Sequence, residues 1–211
     1  MKQKLKVGTK KYILKTIEEA LSDERKFNSI NFDNVIELVL EEGWTDIIKL
    51  LLKDNRINLS KNDNYVIKQA SYNGQKTIVK LLLKDSKIDP SAENNYSIRM
   101  ASRYGYLGIV RMLLADDRVD PSADNNYAIR YAVSGGNLEI VKLLLKDSRV
   151  DPSANNSETI SNAASGGHIK IVKMLLADGR VDASANYNCA LEYATVNRHK
   201  DIEKLLSLYK R

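Results

Sequence analysis

The apolar residues of this chain follow two spacings that alternate along the sequence. Ile129, Ala132, Val133 and Gly136 have the i, i+3, i+4, i+7 spacing of one face of an α-helix. The following segment, 138–145, is apolar nearly all round, as expected of a second helix buried against neighbours on several sides. The glycine between the two segments lets the chain turn within a few residues. The pattern therefore predicts a helix, a short turn and a second helix.

This pattern recurs at intervals of 31 residues. One column is Ile36, Ile67, Ile98, Ile129, Ile160 and Leu191, and a second is Val39, Ala70, Ala101, Ala132, Ala163 and Ala194. The period divides the chain into six units: 27–57, 58–88, 89–119, 120–150, 151–181 and 182–211. A single helix pair cannot bury its own apolar face, so the units must stack on one another. The sequence predicts an all-α solenoid.

A repeated phrase joins the units, reading DPSAENNY at 89–96 and DPSADNNY at 120–127. The proline stands at the second position of a predicted turn, where its fixed φ is favourable. Asn125 or Asn126 is then expected to cap the next first helix.

The segments GNLEIVKLLL (136–145) and GHIKIVKMLL (167–176) resemble the G-H-x-x-V-V-x-L-L-L segment of ankyrin repeats, and the resemblance extends over 27–211. Ankyrin units usually have about 33 residues and begin the first helix with T-P-L-H, whereas here it begins with Y-x-I-R. The resemblance therefore implies an ankyrin solenoid with shortened β-turn fingers. The Asp-Pro-Ser-Ala turns are similar to those in ankyrin arrays of large DNA viruses, which would imply action in the cytoplasm of a host cell.

The two ends of the chain depart from the repeat. We expect residues 1–26 to be an N-terminal segment with a degenerate half-repeat that caps the stack, its helix starting near Thr9. In the last unit Arg198 replaces the glycine, and Glu203 and Ser207 replace core positions, as expected of a C-terminal cap with a polar outer face.

The charge and composition of the chain indicate its cellular location. The formal net charge is +6, and the first 15 residues contain six lysines and no acid. The single cysteine, Cys189, cannot form an intramolecular disulfide, and the N-terminus lacks the apolar region of a signal peptide. The apolar runs are far shorter than the roughly 20 residues that a membrane span requires. We expect an intracellular, cytoplasmic protein.

No catalytic, metal or cofactor motif stands out. The sequence has no phosphate-binding glycine loop, no C-x-x-C and no H-E-x-x-H. His168 and His199 share one repeat column, where the family resemblance implies hydrogen bonds between repeats. Asp85, Asp116, Asp147 and Asp178 recur in four units, which indicates scaffold because a catalytic site needs only one copy. We predict a non-enzymatic protein without cofactors.

The remaining candidate is the surface of the first helices, which the ankyrin resemblance implies is the concave binding face. Its varying columns carry Tyr, Arg and Met, which are enriched at protein interfaces. The candidate partner-binding residues are Lys68, Gln69, Tyr72, Arg99, Met100, Arg103, Tyr104, Arg130, Tyr131, Asn162 and Tyr193. A basic row of Lys68, Arg99 and Arg130 favours a partner with an acidic patch.

Three alternatives remain at this point. The tyrosine column Tyr65, Tyr96 and Tyr127 can be a stacked structural ladder instead of a contact surface. The basic row, with the N-terminal lysines, can bind nucleic acid or anionic lipid. The solenoid can also self-associate, although we expect a monomer.

Overall fold

The structure, a computed structural model, describes residues 2–209, and it describes side chains for 9–184 and 189–209. Within residues 2–209 it contains fourteen α-helices, one short 3₁₀ helix and no β-strand. The fold is thus all-α, as the repeat pattern predicts. The chain divides into two compact units, unit 1 (1–88) and unit 2 (89–211).

Unit 1 contains a long N-terminal helix, a short helix and two helix pairs. Its elements are α1 (Lys2–Ser22), α2 (Glu24–Ser29), α3 (Phe32–Glu42), α4 (Thr45–Leu51), α5 (Lys61–Tyr72) and α6 (Lys76–Leu82). Helices α3 and α5 pack beside each other, as do α4 and α6.

Unit 2 contains four helix pairs. Its elements are α7 (Ala92–Arg103), α8 (Leu107–Leu114), α9 (Ala123–Ser134), α10 (Leu138–Leu144), α11 (Ala154–Ser165), α12 (Ile169–Asp178), α13 (Ala185–Val196), α14 (Lys200–Leu206) and the 3₁₀ helix Ser207–Tyr209. The first helices α7, α9, α11 and α13 pack in sequence, and the second helices α8, α10, α12 and α14 do the same. The helix pairs begin every 31 residues.

The core consists of the columns that recur in the sequence. In α9, Ile129, Ala132 and Val133 have no exposed surface, and Val141 and Leu144 of α10 are equally buried. Val39 and the five alanines of its column are all fully buried. Small side chains at this column suit the packing of successive first helices, such as α7 on α9.

The Asp-Pro-Ser phrase forms a turn stabilised by its own aspartate. The Asp120 carboxylate accepts hydrogen bonds from the Ser122 backbone N–H at 2.9 Å and from the Ser122 hydroxyl at 2.6 Å. The Asp120 carbonyl accepts from the Ala123 N–H at 3.4 Å, with Pro121 between them. Asp89, Asp151 and Asp182 hold Ser91, Ser153 and Ser184 in the same way.

The prediction that Asn125 or Asn126 caps α9 is wrong. Both residues have left-handed backbones, with φ of 54° and 58°, so the right-handed turns of α9 begin only at Tyr127, and the Asn126 side chain accepts from Asp151 of the next repeat instead of from α9. Three successive left-handed residues occur in four repeats, at 62–64, 93–95, 124–126 and 155–157. Asn and Asp fill most of these positions because their short polar side chains tolerate this conformation best.

The third left-handed residue joins one repeat to the next. The Asn126 side-chain oxygen accepts a hydrogen bond from the Asp151 backbone N–H at 2.7 Å, and Asn95 accepts from Asp120 at 2.8 Å. Asn126 is buried. The repeated phrase is therefore an inter-repeat connection as well as a turn.

Arginine clamps join the ends of the second helices. The Arg149 Nε and Nη2 atoms donate to the Asp147 carboxylate at 3.0 and 2.7 Å, while Nη1 donates to the Val119 carbonyl of the preceding repeat at 2.9 Å. Arg180 binds Asp178 and the Val150 carbonyl in the same arrangement. These recurrent aspartates are part of the scaffold, as predicted.

The repeat glycine allows a side chain from the next repeat to approach. Gly136 has a φ of 68°, and a Cβ at this position would lie 2.7 Å from the His168 ring. The His168 Nε2 lies 3.4 Å from the Ser134 carbonyl, and the His199 Nε2 lies 3.1 Å from the Ser165 carbonyl. Both histidines thus make the inter-repeat contacts that the sequence analysis assigned to them.

The N-terminal helix begins earlier than expected, at Lys2 instead of Thr9. Its Ile17 and Ala20 are buried. Arg56 donates to the Leu21 carbonyl at 2.9 Å, 35 residues earlier, and Arg180 makes the equivalent bond to Leu145. This correspondence supports a capping half-repeat, because Leu21 occupies the place of a second-helix residue. No helix in the described part of the chain is long and apolar enough to cross a membrane.

Candidate binding surface on the first helices

The first helices of unit 2 carry a group of aromatic and arginine side chains, here called the Tyr–Arg cluster: Arg99, Arg103, Tyr104, Tyr127 and Tyr131. The cluster lies on α7 and α9, which pack beside each other. Tyr127 and Tyr131 are four residues apart on α9, so their side chains lie on the same helix face.

The cluster is organised by ring and cation contacts. The Tyr127 and Tyr131 rings stack with centroids 3.7 Å apart and an interplanar angle of 11°. The Arg99 guanidinium lies 4.9 Å from the Tyr127 ring centroid, and the Arg103 guanidinium lies 5.0 Å from that of Tyr131 and 5.6 Å from that of Tyr104. These distances are within the range of cation–π attraction. The side chains are therefore held in place before any partner arrives.

Contacts within the cluster also shift the pKa values of Tyr127 and Arg103. Burial raises the pKa of the Tyr127 phenol and contact with Tyr131 adds to this, while Arg103 opposes it. The Arg103 Nη1 donates to the Tyr127 hydroxyl oxygen at 3.4 Å, and this bond raises the pKa of Arg103. At neutral pH the cluster therefore presents the charged Arg103 beside the neutral Tyr127 phenol.

Arg99 and Arg130 are paired within the repeat stack. Arg99 forms an ion pair with Asp124, and the Arg130 Nη1 lies 2.5 Å from the Glu158 carboxylate. Burial raises the pKa of Glu158, but hydrogen bonds from Asn155, Arg130 and Asn162 outweigh it, so the pKa is lowered. Glu158 is therefore ionised at neutral pH and neutralises Arg130.

The remaining candidates of unit 2 lie further along the same face. Asn162 on α11 is half-buried and donates to Glu158 at 3.3 Å. Tyr193 on α13 is 44% exposed, and Val196, one turn later, is 70% exposed. Cys189 on the same helix is half-buried. Tyr193 and Val196 are thus exposed apolar or aromatic side chains at this end of unit 2.

Three candidates lie in unit 1, on α5. Tyr72 is 39% exposed and Gln69 is half-buried. Lys68 is only 5% exposed, and its ammonium lies 3.6 Å from the Asp63 carboxylate. Of these three candidates, Tyr72 is the most exposed.

Two predicted contact residues are not on the surface. Lys68 is buried and its ammonium pairs with the exposed Asp63, and Met100 is only 6% exposed because neighbouring helices cover more of each first helix than the helical wheel suggests. The basic row is also neutralised, since Lys68, Arg99 and Arg130 each pair with a carboxylate. The reason for expecting an acidic patch on the partner of this face therefore no longer holds.

The tyrosine column is not a simple ring-on-ring ladder. Arg99 contacts both Tyr96, at 5.9 Å, and Tyr127, at 4.9 Å. Tyr127 stacks instead on Tyr131 within its own helix. Tyr127 therefore belongs to the Tyr–Arg cluster, and the i, i+4 spacing of Tyr127 and Tyr131 in the sequence is a signal for their contact.

The described side chains offer no grouping of three or more His, Cys, Asp or Glu that could hold a metal ion. His168 and His199 contact backbone carbonyls in different repeats.

A family model described as "Ankyrin repeats (3 copies)" matches residues 67–156, 98–188 and 129–210. Together these matches span 67–210, which is more than half of the chain. The chain matches no curated protein.

Proposed function

The chain belongs to the ankyrin repeat family, whose repeats are generally protein–protein interaction modules and typically non-enzymatic, and we propose that it binds a protein partner through the first helices of unit 2. The observation that carries this proposal is the Tyr–Arg cluster. It combines exposed Arg103 and Tyr104 with the Tyr127 and Tyr131 stack on the neighbouring helix.

The composition of the cluster supports this role. Tyrosine and arginine dominate the energetic hot spots of protein interfaces, because they bury a large area and retain a polar group at the tip. Tyr104 and Arg103 belong to columns that vary from repeat to repeat, so the stacking of repeats does not require them. Their exposure therefore leaves them available to a partner.

The preorganisation of the cluster also supports binding. Ordering long side chains on association costs about 0.5–1.5 kcal/mol for each side chain. The Tyr131 ring is already stacked on Tyr127, and Arg103 already contacts Tyr131. Because the fold already restricts these side chains, less side-chain entropy is lost on binding.

The partner can be identified by site-specific photo-crosslinking. A benzophenone amino acid placed at Tyr104 is expected to capture the partner from a lysate, and the same amino acid at Lys142, on the second helix α10, is expected to capture little of it. Mass spectrometry then identifies the captured protein.

The surface is then tested with Arg103→Ala combined with Tyr104→Ala. Truncation of a hot spot costs about 2 kcal/mol or more, so the double variant should bind at least about tenfold more weakly. Lys142→Ala with Lys173→Ala is the matched control and should leave affinity nearly unchanged. Loss of affinity in the control with full affinity in the cluster variant would contradict the proposal.

The two alternative functions, nucleic-acid binding and self-association, predict different results. Binding of nucleic acid would weaken by several decades between low and moderate salt. Self-association would appear in light scattering as a mass of two or more chains. The similarity of the Asp-Pro-Ser-Ala turns to viral ankyrin arrays is the reason to include host-cell cytoplasmic lysates in the crosslinking experiment.

A further inference from the structure

A groove on unit 1 lies at the ends of the second helices α4 and α6. Its volume is about 570 Å³. Four lysines line it: Lys49, Lys53, Lys84 and Lys87. We call it the four-lysine groove.

The groove lies where the arginine clamp is missing. The clamp column reads Arg56, Lys87, Arg118, Arg149 and Arg180. Arg149 binds Asp147 and the carbonyl of Val119, thirty residues earlier. By the same spacing, an arginine at position 87 would bind Asp85 and the carbonyl of Ile57. Both of these residues line the groove. Lysine has no planar fork to make both contacts at once, which leaves the groove open.

The lysines of the groove are uncompensated. Among the described residues, none of the four ammonium groups has a carboxylate within 4.0 Å. Asp54, which also lines the groove, is already bound by the Arg56 fork at 2.9 and 2.5 Å, and Asp85 accepts the Lys87 backbone N–H at 3.0 Å. Unit 1 also carries 17 Lys and Arg against 12 Asp and Glu, whereas unit 2 carries 16 against 15. The groove is therefore a local concentration of positive charge.

The lining is not only charged. Leu52, Ile57 and Leu81 are half-buried and line the same groove. An occupant that complements both features needs carboxylates for the lysines and apolar side chains for the leucines and isoleucine. The lining includes no aromatic or arginine side chain, which are the groups on which nucleic-acid bases stack.

We propose that the four-lysine groove of unit 1 docks an acidic, amphipathic peptide segment of a partner protein. Its apolar side chains contact Leu52, Ile57 and Leu81, and its carboxylates pair with the surrounding ammonium groups. This site uses second helices of unit 1 and is independent of the proposed contact through the first helices of unit 2.

The first test uses a fluorescein-labelled peptide of alternating Glu-Glu and Leu-Leu pairs, with the full chain, at physiological salt. Fluorescence anisotropy should show binding that is at least tenfold tighter than for the same peptide with glutamine in place of glutamate. Carbodiimide, which joins ammonium groups to carboxylates directly, should link the peptide to Lys49, Lys53, Lys84 or Lys87, as read by mass spectrometry. Equal binding of the two peptides, no binding, or links confined to other lysines would overturn the proposal.

The decisive variant is Lys87→Arg, because it keeps the charge. We expect arginine to form the missing clamp with Asp85 and the Ile57 carbonyl, to fill the groove, and to weaken peptide binding at least fivefold while raising Tm. Lys53→Gln with Lys84→Gln should weaken it at least tenfold, and Lys142→Gln with Lys173→Gln, the same loss of charge in unit 2, should change it less than twofold. If Lys87→Arg and the double variant Lys53→Gln, Lys84→Gln both bound the peptide with wild-type affinity, the proposed site would be wrong.

Two other anionic surfaces serve as competitors. Vesicles containing phosphatidylserine and a 20-base-pair DNA duplex are titrated against the same variants. Tighter binding of either one than of the acidic peptide, with the same loss in Lys87→Arg, would replace the peptide by that ligand and overturn the proposal.

Discussion

The ends of the second helices and the surface of the first helices use arginine in opposite ways. In unit 2 the clamp arginines Arg149 and Arg180 repeat one geometry, each bound to an aspartate two residues earlier and to a carbonyl of the preceding repeat. On the first helices, Arg103 instead contacts the rings of Tyr104 and Tyr131. The clamp contact recurs along unit 2 and joins successive repeats, whereas the Arg103 contacts are not repeated, which is why we propose that this surface serves a partner.

The largest loss of stability is expected for Ala132→Asp, which disrupts a contact that recurs between repeats. Ala132 has no exposed surface, so the variant places an unpaired carboxylate between the first helices, which should cost at least several kcal/mol. Hydrogen exchange should show loss of protection around α9 first. Ser134→Asp, at an exposed position of the same helix, is the control and should leave protection almost unchanged. Retained protection at α9 in Ala132→Asp would show that this column tolerates charge.

The core column could be predicted from sequence because burial there depends on spacing within each repeat. The spacing of Ile129, Ala132 and Val133 identifies a helix face without knowledge of any other residue. The burial of Lys68 and Met100 could not be read in this way, since it depends on what the neighbouring helices cover.

Long-range pairing explains the other differences from the sequence analysis. Arg99 and Arg130 are neutralised by Asp124 and Glu158, which lie 25 and 28 residues away in the next repeat. A sequence column shows which residues recur but not which side chains meet across repeats. The role of Asn126 was missed for a related reason, because asparagine is equally suited to a helix cap and to a left-handed residue.

A smaller effect is expected at this inter-repeat asparagine. Asn126→Ala removes the acceptor for the Asp151 N–H and places alanine in a left-handed backbone, so it should destabilise by about 2–4 kcal/mol. Asn125→Ala has the same backbone conformation at an exposed position, so it should lose only the backbone part, about 1–2 kcal/mol. Urea denaturation measures both. Equal losses in the two variants would mean that the bond to Asp151 contributes nothing to stability.

The smallest effect concerns a single clamp and its dependence on pH. The hydrogen bonds from Arg149 lower the pKa of Asp147 below its ordinary value of 3.8. The stability that this ion pair contributes is therefore fully present at pH values well above 3.8, and it is lost as the pH falls through the lowered pKa of the folded protein. Arg149→Gln returns the Asp147 pKa towards its ordinary value, which should make the fall in stability between pH 5 and pH 2 shallower. Because the Arg149 side chain is 44% exposed, the loss at pH 7 should be no more than about 1 kcal/mol. Thermal unfolding at several pH values measures this, with Arg111→Gln, at an exposed position of α8, as the control. If the fall in stability between pH 5 and pH 2 were the same in Arg149→Gln as in the wild type, the clamp would hold the repeats through its bond to the Val119 carbonyl and not through its charge.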